Sequence, residues 1–254
     1  MNEAIKISVV MPALDEEKNI LAAITNTLKA FDDFSINGEI IVINDGSTDK
    51  TEVIVKETKS NDHRIRLIRH TNPKGIGSSF WDGVDIAKGN AVCMLPGDNE
   101  NDPWEIFRYH ILLEHVDIVI PFMFNKEVRS LFRNVLSYIY RSIINSSFAI
   151  NLNYTNGTVL YKKSLLEKLT SRVSGFFYQT DILIRLIKKG YLFAEVPYRI
   201  GMREGLSKAV SFPSFLKVVK GYLCLLRDLR FSVNAGKNEG EFLSDTMTAK
   251  RHRN

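Results

Sequence analysis

The amino-acid sequence predicts an α/β fold with a mostly parallel central sheet flanked by helices. Short apolar runs, several of them rich in β-branched residues, alternate with longer segments whose apolar residues recur at helical spacing, and turn-forming residues close several of the runs. The 254 residues suffice for one such domain with a small appendage. Right-handed crossovers would place the carboxyl ends of the strands along one edge, where open sheets bind ligands.

The first half of the chain alternates predicted strands with predicted helices. The strands are expected at 5–11, 39–43, 64–68, 90–95 and 116–121, because each is a short run rich in β-forming residues, of which 5–11 is densely apolar. The helices are expected at 16–31, at 49–59 behind the cap Asp49, at 75–88 and at 103–114. In the first helix, the residues on one face are Ile20, Ala23, Ile24, Leu28 and Phe31.

The second half has a less regular pattern. We expect a long amphipathic helix at 127–148, a strand at 157–161, a helix at 178–189, a strand at 191–196 and a polar loop at 201–208. An apolar helix punctuated by Lys and Arg follows at 212–231. From 234 onward the chain is polar and ends in basic residues, which predicts a disordered tail over 234–254.

Composition narrows the class of protein. The formal net charge is +5, which favours anionic partners such as phosphate-bearing substrates or an acidic membrane surface. The aromatic-plus-basic pattern of single-strand nucleic-acid binders is lacking, so we expect no nucleic-acid partner. The cysteines are Cys93 and Cys224; the first lies in an apolar run, which predicts a buried free thiol in a reducing compartment. Neither an apolar run of about 18 residues nor a signal segment at 1–6 is present, so we expect a soluble or peripheral protein.

Acidic residues follow the predicted strands and suggest a cation site. Asp98 and Glu100 come after the fourth strand at a spacing of i, i+2, so both carboxylates can turn to one side. A hard cation such as Mg²⁺ would hold them together with substrate phosphate oxygens. The alternative is a solvated acidic turn, in which Asp102 caps the helix that begins at Pro103.

Two further turns have a conformational and a functional interpretation. The turn after the second strand, Asn44-Asp45-Gly46-Ser47, suits a strand-to-helix connection, and it also presents an amide and a carboxylate that could contact a base or ribose. The segment 72–77 resembles a Gly-rich phosphate loop, but its spacing matches neither the dinucleotide fingerprint nor the P-loop.

In combination, these segments resemble glycosyltransferase family 2, and within it the dolichyl- and polyprenyl-phosphate sugar transferases. The matching segments, within about 5–230, are 10–17 (VMPALDEE), 43–49 (INDGSTD), 75–89 with its glycines, 175–198 around Asp181, and 203–208 (REGLSK). The resemblance implies a GT-A fold, a nucleotide-diphosphosugar donor, Mg²⁺ or Mn²⁺, and inversion at the anomeric carbon. It also implies a catalytic domain over 1–208 with a nucleotide-binding half to about 121 and an acceptor half from 122, followed by an amphipathic helical extension at 209–233.

The resemblance also implies site residues. The nucleotide-sugar set is Pro12, Ala13, Leu14, Glu16, Asn44, Asp45, Gly97 and Asp98. Asp98 and Glu100 would bind the metal, and Arg203 and Lys208 would hold diphosphate or acceptor phosphate. The chain departs from the family pattern at Asn44 and Pro96, where acids are expected, and at Asn153 and Val159, where Asp and Arg are expected.

The acceptor decides whether a base is needed. A polyprenyl-phosphate acceptor is already ionised and needs none, whereas a sugar hydroxyl of a glycan or lipopolysaccharide would need a carboxylate, for which Asp181 is the candidate. Asp181 can equally be a helix-start charge. A third hypothesis is a non-catalytic sugar-nucleotide-binding protein. The helix at 212–231 could lie on a bilayer, which predicts a cytoplasmic enzyme at the inner face of the membrane, or could pack on protein.

Overall fold

We describe the fold from a computed structural model, which places residues 6–125, 127, 130–199, 212–231 and 242–253. Within these residues the sheet has seven strands in the order β3-β2-β1-β4-β6-β5-β7. The strands are β1 Lys6–Ala13, β2 Asn37–Asn44, β3 Ile65–Arg69, β4 Ala91–Met94, β5 Ile118–Met123, β6 Leu160–Lys162 and β7 Phe193–Tyr198. All pairings are parallel except those of β6, which runs antiparallel to β4 and β5. The predicted mostly parallel α/β fold is confirmed.

Helices cover both faces of the sheet. They are α1 Ile20–Asp33, α2 Thr51–Asn61, α3 Ile76–Ile86, α4 Pro103–Phe107, α5 Leu131–Phe148, α6 Lys163–Glu167, α7 Tyr178–Lys188, α8 Phe212–Phe231 and α9 Met247–Arg253, with a 3₁₀ helix at His110–Glu114. Along β1, Val9 and Met11 pack into the core under α1 and α4, whereas Val10 packs into the core under α3 and α7. Burial on both faces explains why the strands are apolar without alternation.

The predicted single helix at 103–114 is wrong in one respect, because it is interrupted after Phe107. The His110 ring nitrogen Nδ1 lies 2.8 Å from the Phe107 carbonyl oxygen, an acceptor that a continuing α-helix would offer to its own backbone. The chain resumes as the 3₁₀ helix His110–Glu114.

The predicted disordered tail is wrong for the described residues 242–253. Asp117, fully buried immediately before β5, accepts hydrogen bonds from the amides of Met247 at 2.6 Å and Thr248 at 3.0 Å, and from the Thr248 hydroxyl. These bonds satisfy the amino terminus of α9 with a carboxylate from another part of the chain. Composition alone did not reveal this partner, which is 130 residues away.

Candidate functional site

Three loops meet at the carboxyl ends of the adjacent parallel strands β2, β1 and β4. The amide of Asp45 donates to the Ala13 carbonyl at 2.8 Å, and the amide of Gly97 donates to the Pro12 carbonyl at 2.9 Å. The end of β1 is therefore hydrogen-bonded to the loop after β2 through Ala13 and to the loop after β4 through Pro12. The structure thus brings the predicted segments 12–16, 44–45 and 97–100 together at one edge of the sheet.

Gly97 lies where the loop after β4 crosses the end of β1. A Cβ atom at this position would lie 2.7 Å from the Ile20 side chain and 3.2 Å from the Ala13 Cβ. A larger residue would have to push the following Asp98 away from β1. Glycine therefore keeps the Asp98 loop close to the strand ends.

The Asp98 loop is held by its own hydrogen bonds. Asp98 is half-buried, and its Oδ1 accepts the Glu100 amide at 3.1 Å, while the exposed Asn99 between them has a left-handed φ of 56°. Asp102 caps α4 by accepting the Trp104 amide at 2.9 Å, with Pro103 in the first turn, so the predicted cap is confirmed. The two acids therefore differ in role. Asp102 caps the amino terminus of α4, whereas Asp98 lies at the carboxyl edge of the sheet.

The donor set at this loop fits a cation that is shared with a substrate. Asp98 and Glu100 are half-buried and two residues apart. In the described part of the chain, no group of three or more His, Cys, Asp or Glu side chains could hold a metal ion. Mg²⁺ commonly uses one or two carboxylates, water and substrate phosphate oxygens, so these residues suit that mode and not a self-contained metal site.

The loop after β1 is fastened to the turn after β2. Asp15 has a left-handed φ of 55°; its amide donates to Ser47 Oγ at 3.0 Å, and its Oδ1 accepts the Thr48 amide at 2.8 Å. The Glu16 amide donates to Thr51 Oγ1 at 2.8 Å. The predicted binding residues of this loop differ in their exposure to solvent. Pro12 and Ala13 are buried, Glu16 is half-buried and Leu14 is 42% exposed.

Asn44 and Asp45 are buried, and their side chains already have protein partners. Asn44 Oδ1 accepts the Ser47 amide at 2.9 Å. The Asp45 carboxylate accepts the amides of Lys74 at 2.8 Å and Gly75 at 2.9 Å, and its Oδ1 lies 2.6 Å from Nδ1 of His70. The turn therefore has the conformational role that its sequence predicts.

The segment 72–77 does not form a phosphate cradle from its own amides. The amides of Lys74 and Gly75 donate to Asp45, as described. Those of Gly77 and Ser78, at the start of α3, donate to the Ser174 carbonyl at 2.9 and 3.2 Å. These four donors have acceptors within the protein and are therefore not free to bind a phosphate.

Asp181 is 2% exposed in the first turn of α7 and forms an ion pair. Arg185 Nε donates to both of its carboxylate oxygens, at 2.9 and 3.0 Å, and Arg185 Nη2 reaches Asp228 of α8 at 2.8 Å. Burial raises the pKa of Asp181 above its usual value, and the hydrogen bonds from Arg185 oppose that rise. Arg185 thus links α7 to α8 through Asp228, and the Asp181 carboxylate holds Arg185 in place.

Arg203 and Lys208 lie outside the described residues, in the segment that connects β7 to α8. The residues just before that segment are held by two hydrogen bonds. The Arg199 amide donates to the Glu105 carboxylate at 2.8 Å, and the Tyr109 hydroxyl donates to the Pro197 carbonyl at 2.8 Å. Glu105 belongs to α4, the helix that follows the Asp98 loop. The segment therefore starts from a point tied to that loop.

Two of the positions that depart from the family pattern, Asn153 and Val159, have structural partners. Asn153 donates its amide to Glu195 Oε1 at 2.6 Å and its side-chain amide to Glu195 Oε2 at 3.0 Å. Burial raises the pKa of Glu195, and these bonds oppose the rise. Val159 is 1% exposed and packs in the core under α3 and α7. An arginine at that position would be buried.

Sequence reasoning missed His70 and Asp82, which complete the surroundings of Asp45. His70 is 4% exposed, and its Nε2 lies 2.8 Å from Asp82 Oδ2. The available signal was a histidine directly after a predicted strand end. Its two acidic partners come from the turn after β2 and from α3, so only the fold reveals the contact.

Helices α5 and α8 present apolar side chains to solvent. Their inner faces pack together with α7 through Ile144, Phe148, Ile184 and Leu225, and Tyr222 donates to or accepts from Ser147 at 2.7 Å. The large hydrophobic residues on these helices that are at least 45% exposed are Leu131, Phe132, Val135, Leu136, Tyr138, Ile139, Ile143, Phe215, Leu216 and Leu223. Among the described helices, none has the length and apolar character to cross a bilayer.

Comparison with protein families gives one match over most of the chain. The model of glycosyl transferase family 2 matches residues 8–170. Among curated proteins, the dodecaprenyl-phosphate galacturonate synthase of Rhizobium johnstonii is 22% identical over 171 residues, covering 66% of this chain and 51% of that protein. The undecaprenyl-phosphate 4-deoxy-4-formamido-L-arabinose transferase of Yersinia pestis is 31% identical over 147 residues, covering 57% and 45%. The chain thus spans about half the length of these relatives.

Solved structures confirm the fold. Glucosyl-3-phosphoglycerate synthase from Mycobacterium tuberculosis, in complex with UDP, superposes with a TM-score of 0.68 at 20% identity, covering 87% of this chain and 80% of that one. Its complex with Mg²⁺ and UDP gives a TM-score of 0.66 at 19% identity, covering 87% and 79%. The described architecture is therefore the GT-A fold.

Proposed function

The chain belongs to glycosyltransferase family 2, and from that premise we propose that it transfers a sugar from a nucleotide-diphosphosugar to a polyprenyl-phosphate-type lipid. The observation that carries the proposal is the meeting of the loops after β1, β2 and β4 at one sheet edge. Hydrogen bonds from Asp45 to Ala13 and from Gly97 to Pro12 hold the three loops side by side. Ligands of open α/β sheets bind at such an edge.

The side chains at this edge support the proposal that the donor binds here. The exposed Leu14 supplies apolar surface for the nucleoside, the buried Pro12 and Ala13 fix the position of Leu14 at the end of β1, and Glu16 lies half-buried beside them. Asp98 and Glu100, in the loop after the neighbouring strand β4, suit the diphosphate end through a cation. The M. tuberculosis synthase of the same fold binds UDP and Mg²⁺, which supports a nucleoside diphosphate as the ligand class.

A divalent cation, when bound by Asp98 and Glu100, supplies positive charge that offsets the charge of the departing diphosphate. The protein's own contribution is to hold the loop that carries Asp98 at a fixed distance from the loop after β1, where the nucleoside is proposed to bind. Gly97 and the Asp102 cap do this from either side of the loop. Arg203 and Lys208 are proposed to hold phosphate oxygens as well.

The acceptor class is supported by the relatives and by the surface of α5 and α8. Both curated relatives are named for polyprenyl-phosphate acceptors. Helix α5 has no acidic residue, and the acidic residue of α8, Asp228, pairs with Arg185. Exposed leucine and phenylalanine beside Arg133, Lys217 and Lys220 suit the surface of an anionic bilayer. We therefore assign a peripheral membrane contact to these helices.

The reaction needs no general base with this acceptor. An oxygen of the ionised lipid phosphate attacks the anomeric carbon, the bond from that carbon to the diphosphate oxygen breaks, and the nucleoside diphosphate leaves with the electron pair. An in-line attack inverts the anomeric configuration. Asp181, held by both oxygens on Arg185, then serves the packing of α7 on α8.

The test is a transfer assay with two acceptor classes. Purified chain is incubated with Mn²⁺, a panel of nucleotide sugars, and either undecaprenyl phosphate in vesicles or a soluble oligosaccharide. We expect product with the lipid phosphate only, and we expect Asp181→Asn to keep the wild-type rate per folded molecule. Folded protein is quantified by circular dichroism, because losing one partner of a buried ion pair destabilises the fold.

Other results would redirect the assignment. Transfer to the oligosaccharide with loss of rate in Asp181→Asn would establish a sugar-hydroxyl acceptor with Asp181 as base. Nucleotide binding without transfer or donor hydrolysis would indicate a sugar-nucleotide-binding protein.

A further inference from the structure

An ionic cluster that is buried at Asp45 and His70 and open to solvent at Lys74 and Asp82 joins the loops after β2 and β3. It consists of Asp45, His70, Lys74 and Asp82, and we call it the His70 cluster. His70 lies with Nδ1 2.6 Å from Asp45 Oδ1 and Nε2 2.8 Å from Asp82 Oδ2. The His70 side chain is 3% exposed, and Lys74 Nζ completes the cluster at 3.2 Å from Asp82.

The chemistry of the cluster makes His70 a bridge. An imidazole with a carboxylate oxygen at each ring nitrogen can donate to both only when both nitrogens carry protons. Charge-assisted hydrogen bonds of this kind are short and directional, so they fix the Asp45 carboxylate in one orientation.

That orientation determines the position of the following loop. With its carboxylate turned toward the loop after β3, Asp45 accepts the amides of Lys74 and Gly75. Gly46 then packs directly against the same loop, since a Cβ at Gly46 would lie 2.9 Å from Pro73 Cδ and 3.0 Å from its nitrogen. The turns after β2 and β3 are thus locked together as one wall at the sheet edge that carries the proposed donor site.

We propose that His70 and Asp82 are positioning residues for the nucleotide half of the donor. They orient Asp45, which holds the loop after β3 against the turn after β2, and the cluster acts on donor affinity without touching the reacting atoms. The inference rests on the proposed function for the identity of the ligand. Asp98, which serves the diphosphate end, lies on the other side of β1 and is not part of the cluster.

The experiment compares two isosteric substitutions on the same helix. Asp82→Asn removes the carboxylate at His70 Nε2, and Asp85→Asn removes an exposed carboxylate that pairs with Arg172 at 2.7 Å. For Asp82→Asn we expect the donor KM, and the Kd for the matching nucleoside diphosphate, to rise by about tenfold with kcat within about twofold, as for loss of uniform binding. For Asp85→Asn we expect both constants to stay at the wild-type values.

Two His70 variants separate positioning from general stability. His70→Asn keeps a donor on the Asp45 side, whereas His70→Leu keeps none, so donor KM should rise in the order wild type, Asn, Leu. Melting temperatures are recorded for each, and the binding measurements are made well below the lowest of them. A purely structural role would lower the melting temperatures and leave KM per folded molecule unchanged.

Each outcome has a defined meaning. Equal KM and Kd in Asp82→Asn and Asp85→Asn would overturn the positioning role while leaving the proposed function intact. A fall in kcat at constant KM would also overturn it. A wild-type chain that binds none of UDP, GDP, CDP or dTDP would overturn the inference together with the proposed function.

Discussion

At the scale of single residues, Glu39 ties the sheet to its surroundings. Its carboxylate accepts Ser8 Oγ of β1 at 2.7 Å, the Lys88 amide at 2.6 Å and Arg66 Nη1 of β3 at 3.1 Å. Burial alone would raise the pKa of Glu39, but these hydrogen bonds outweigh it and hold the pKa below the usual 4.5. The ionised carboxylate therefore stabilises the folded state more than the unfolded state.

We predict that Glu39→Gln lowers the free energy of unfolding at pH 7 by about 2 kcal/mol, the size of a hydrogen bond to a charged group. Because the folded pKa is depressed, the contribution of Glu39 is complete above pH 4.5 and is lost as the pH falls through the folded pKa. Urea unfolding at a series of pH values should show the difference between wild type and variant shrinking below about pH 4.5. Glu57→Gln, at an exposed position on α2, is the control.

A difference between wild type and Glu39→Gln that stays constant down to pH 3 would show that the ionised form is not what stabilises the fold.

Local spacing predicted some residue roles and missed others. Asp102 before Pro103 is a cap that adjacent residues specify, and Asp98 and Glu100 fall at a strand end that the apolar run specifies. The partners of Asp45 were not predictable, because His70 and Lys74 lie 25 and 29 positions away and meet it only after β2 and β3 have paired. Side-chain contacts between loops depend on topology, which a local pattern does not contain.

At the scale of elements, long periodic segments were predicted well and short ones poorly. Helix α1 was expected at 16–31 and lies at Ile20–Asp33, because its apolar residues repeat over several turns. Strand β6 has three residues and α6 has five, too few for a periodic signal. The antiparallel insertion of β6 between β4 and β5 follows from pairing partners far away in sequence.

The docking of α9 on Asp117 also depends on partners far apart in sequence, and it can be tested by mutation. Asp117→Ala should lower the free energy of unfolding by about 3 kcal/mol, because it removes charge-assisted bonds to the amino terminus of α9 inside a buried site. Thr248→Ala should be destabilising as well, and the double variant should cost less than the sum of the two single variants.

The double-mutant cycle is measured by urea unfolding. Strict additivity of Asp117→Ala and Thr248→Ala would contradict the direct contact between the two side chains. Ser244→Ala, at an exposed position before α9, serves as the reference substitution.

At the scale of the whole molecule, the exposed faces of α5 and α8 should contact a bilayer. We predict that the chain floats with vesicles of phosphatidylglycerol and phosphatidylcholine, and that Leu216→Ser with Leu223→Ser weakens this binding by roughly 30-fold. Each leucine is about half exposed, and burying that surface contributes about 1 kcal/mol. The melting temperature should change little, because both side chains face solvent.

A matched control is available on the opposite part of the fold. Leu21 on α1 and Val53 on α2 are each 53% exposed, as Leu216 is, and their replacement by serine should leave vesicle binding unchanged. Equal loss of binding in both double variants, or no flotation of the wild type, would contradict a membrane role for α5 and α8.

The architecture as a whole was predictable because the sheet is buried on both faces and the chain alternates strands with helices. The carboxyl edge of β2, β1 and β4 was located on the same grounds. The surroundings of α5 and α8 could not be predicted, because an amphipathic pattern does not show whether protein or lipid covers the apolar side of a helix.

The most direct test of a cation shared between Asp98 and a diphosphate is calorimetric titration of the preferred nucleoside diphosphate with and without Mn²⁺. The wild type should bind the nucleotide at least about tenfold more tightly with Mn²⁺, and Asp98→Asn should lose that gain while Asp102→Asn keeps it. An Asp98→Asn protein with the full Mn²⁺-dependent gain would contradict the assignment of the site.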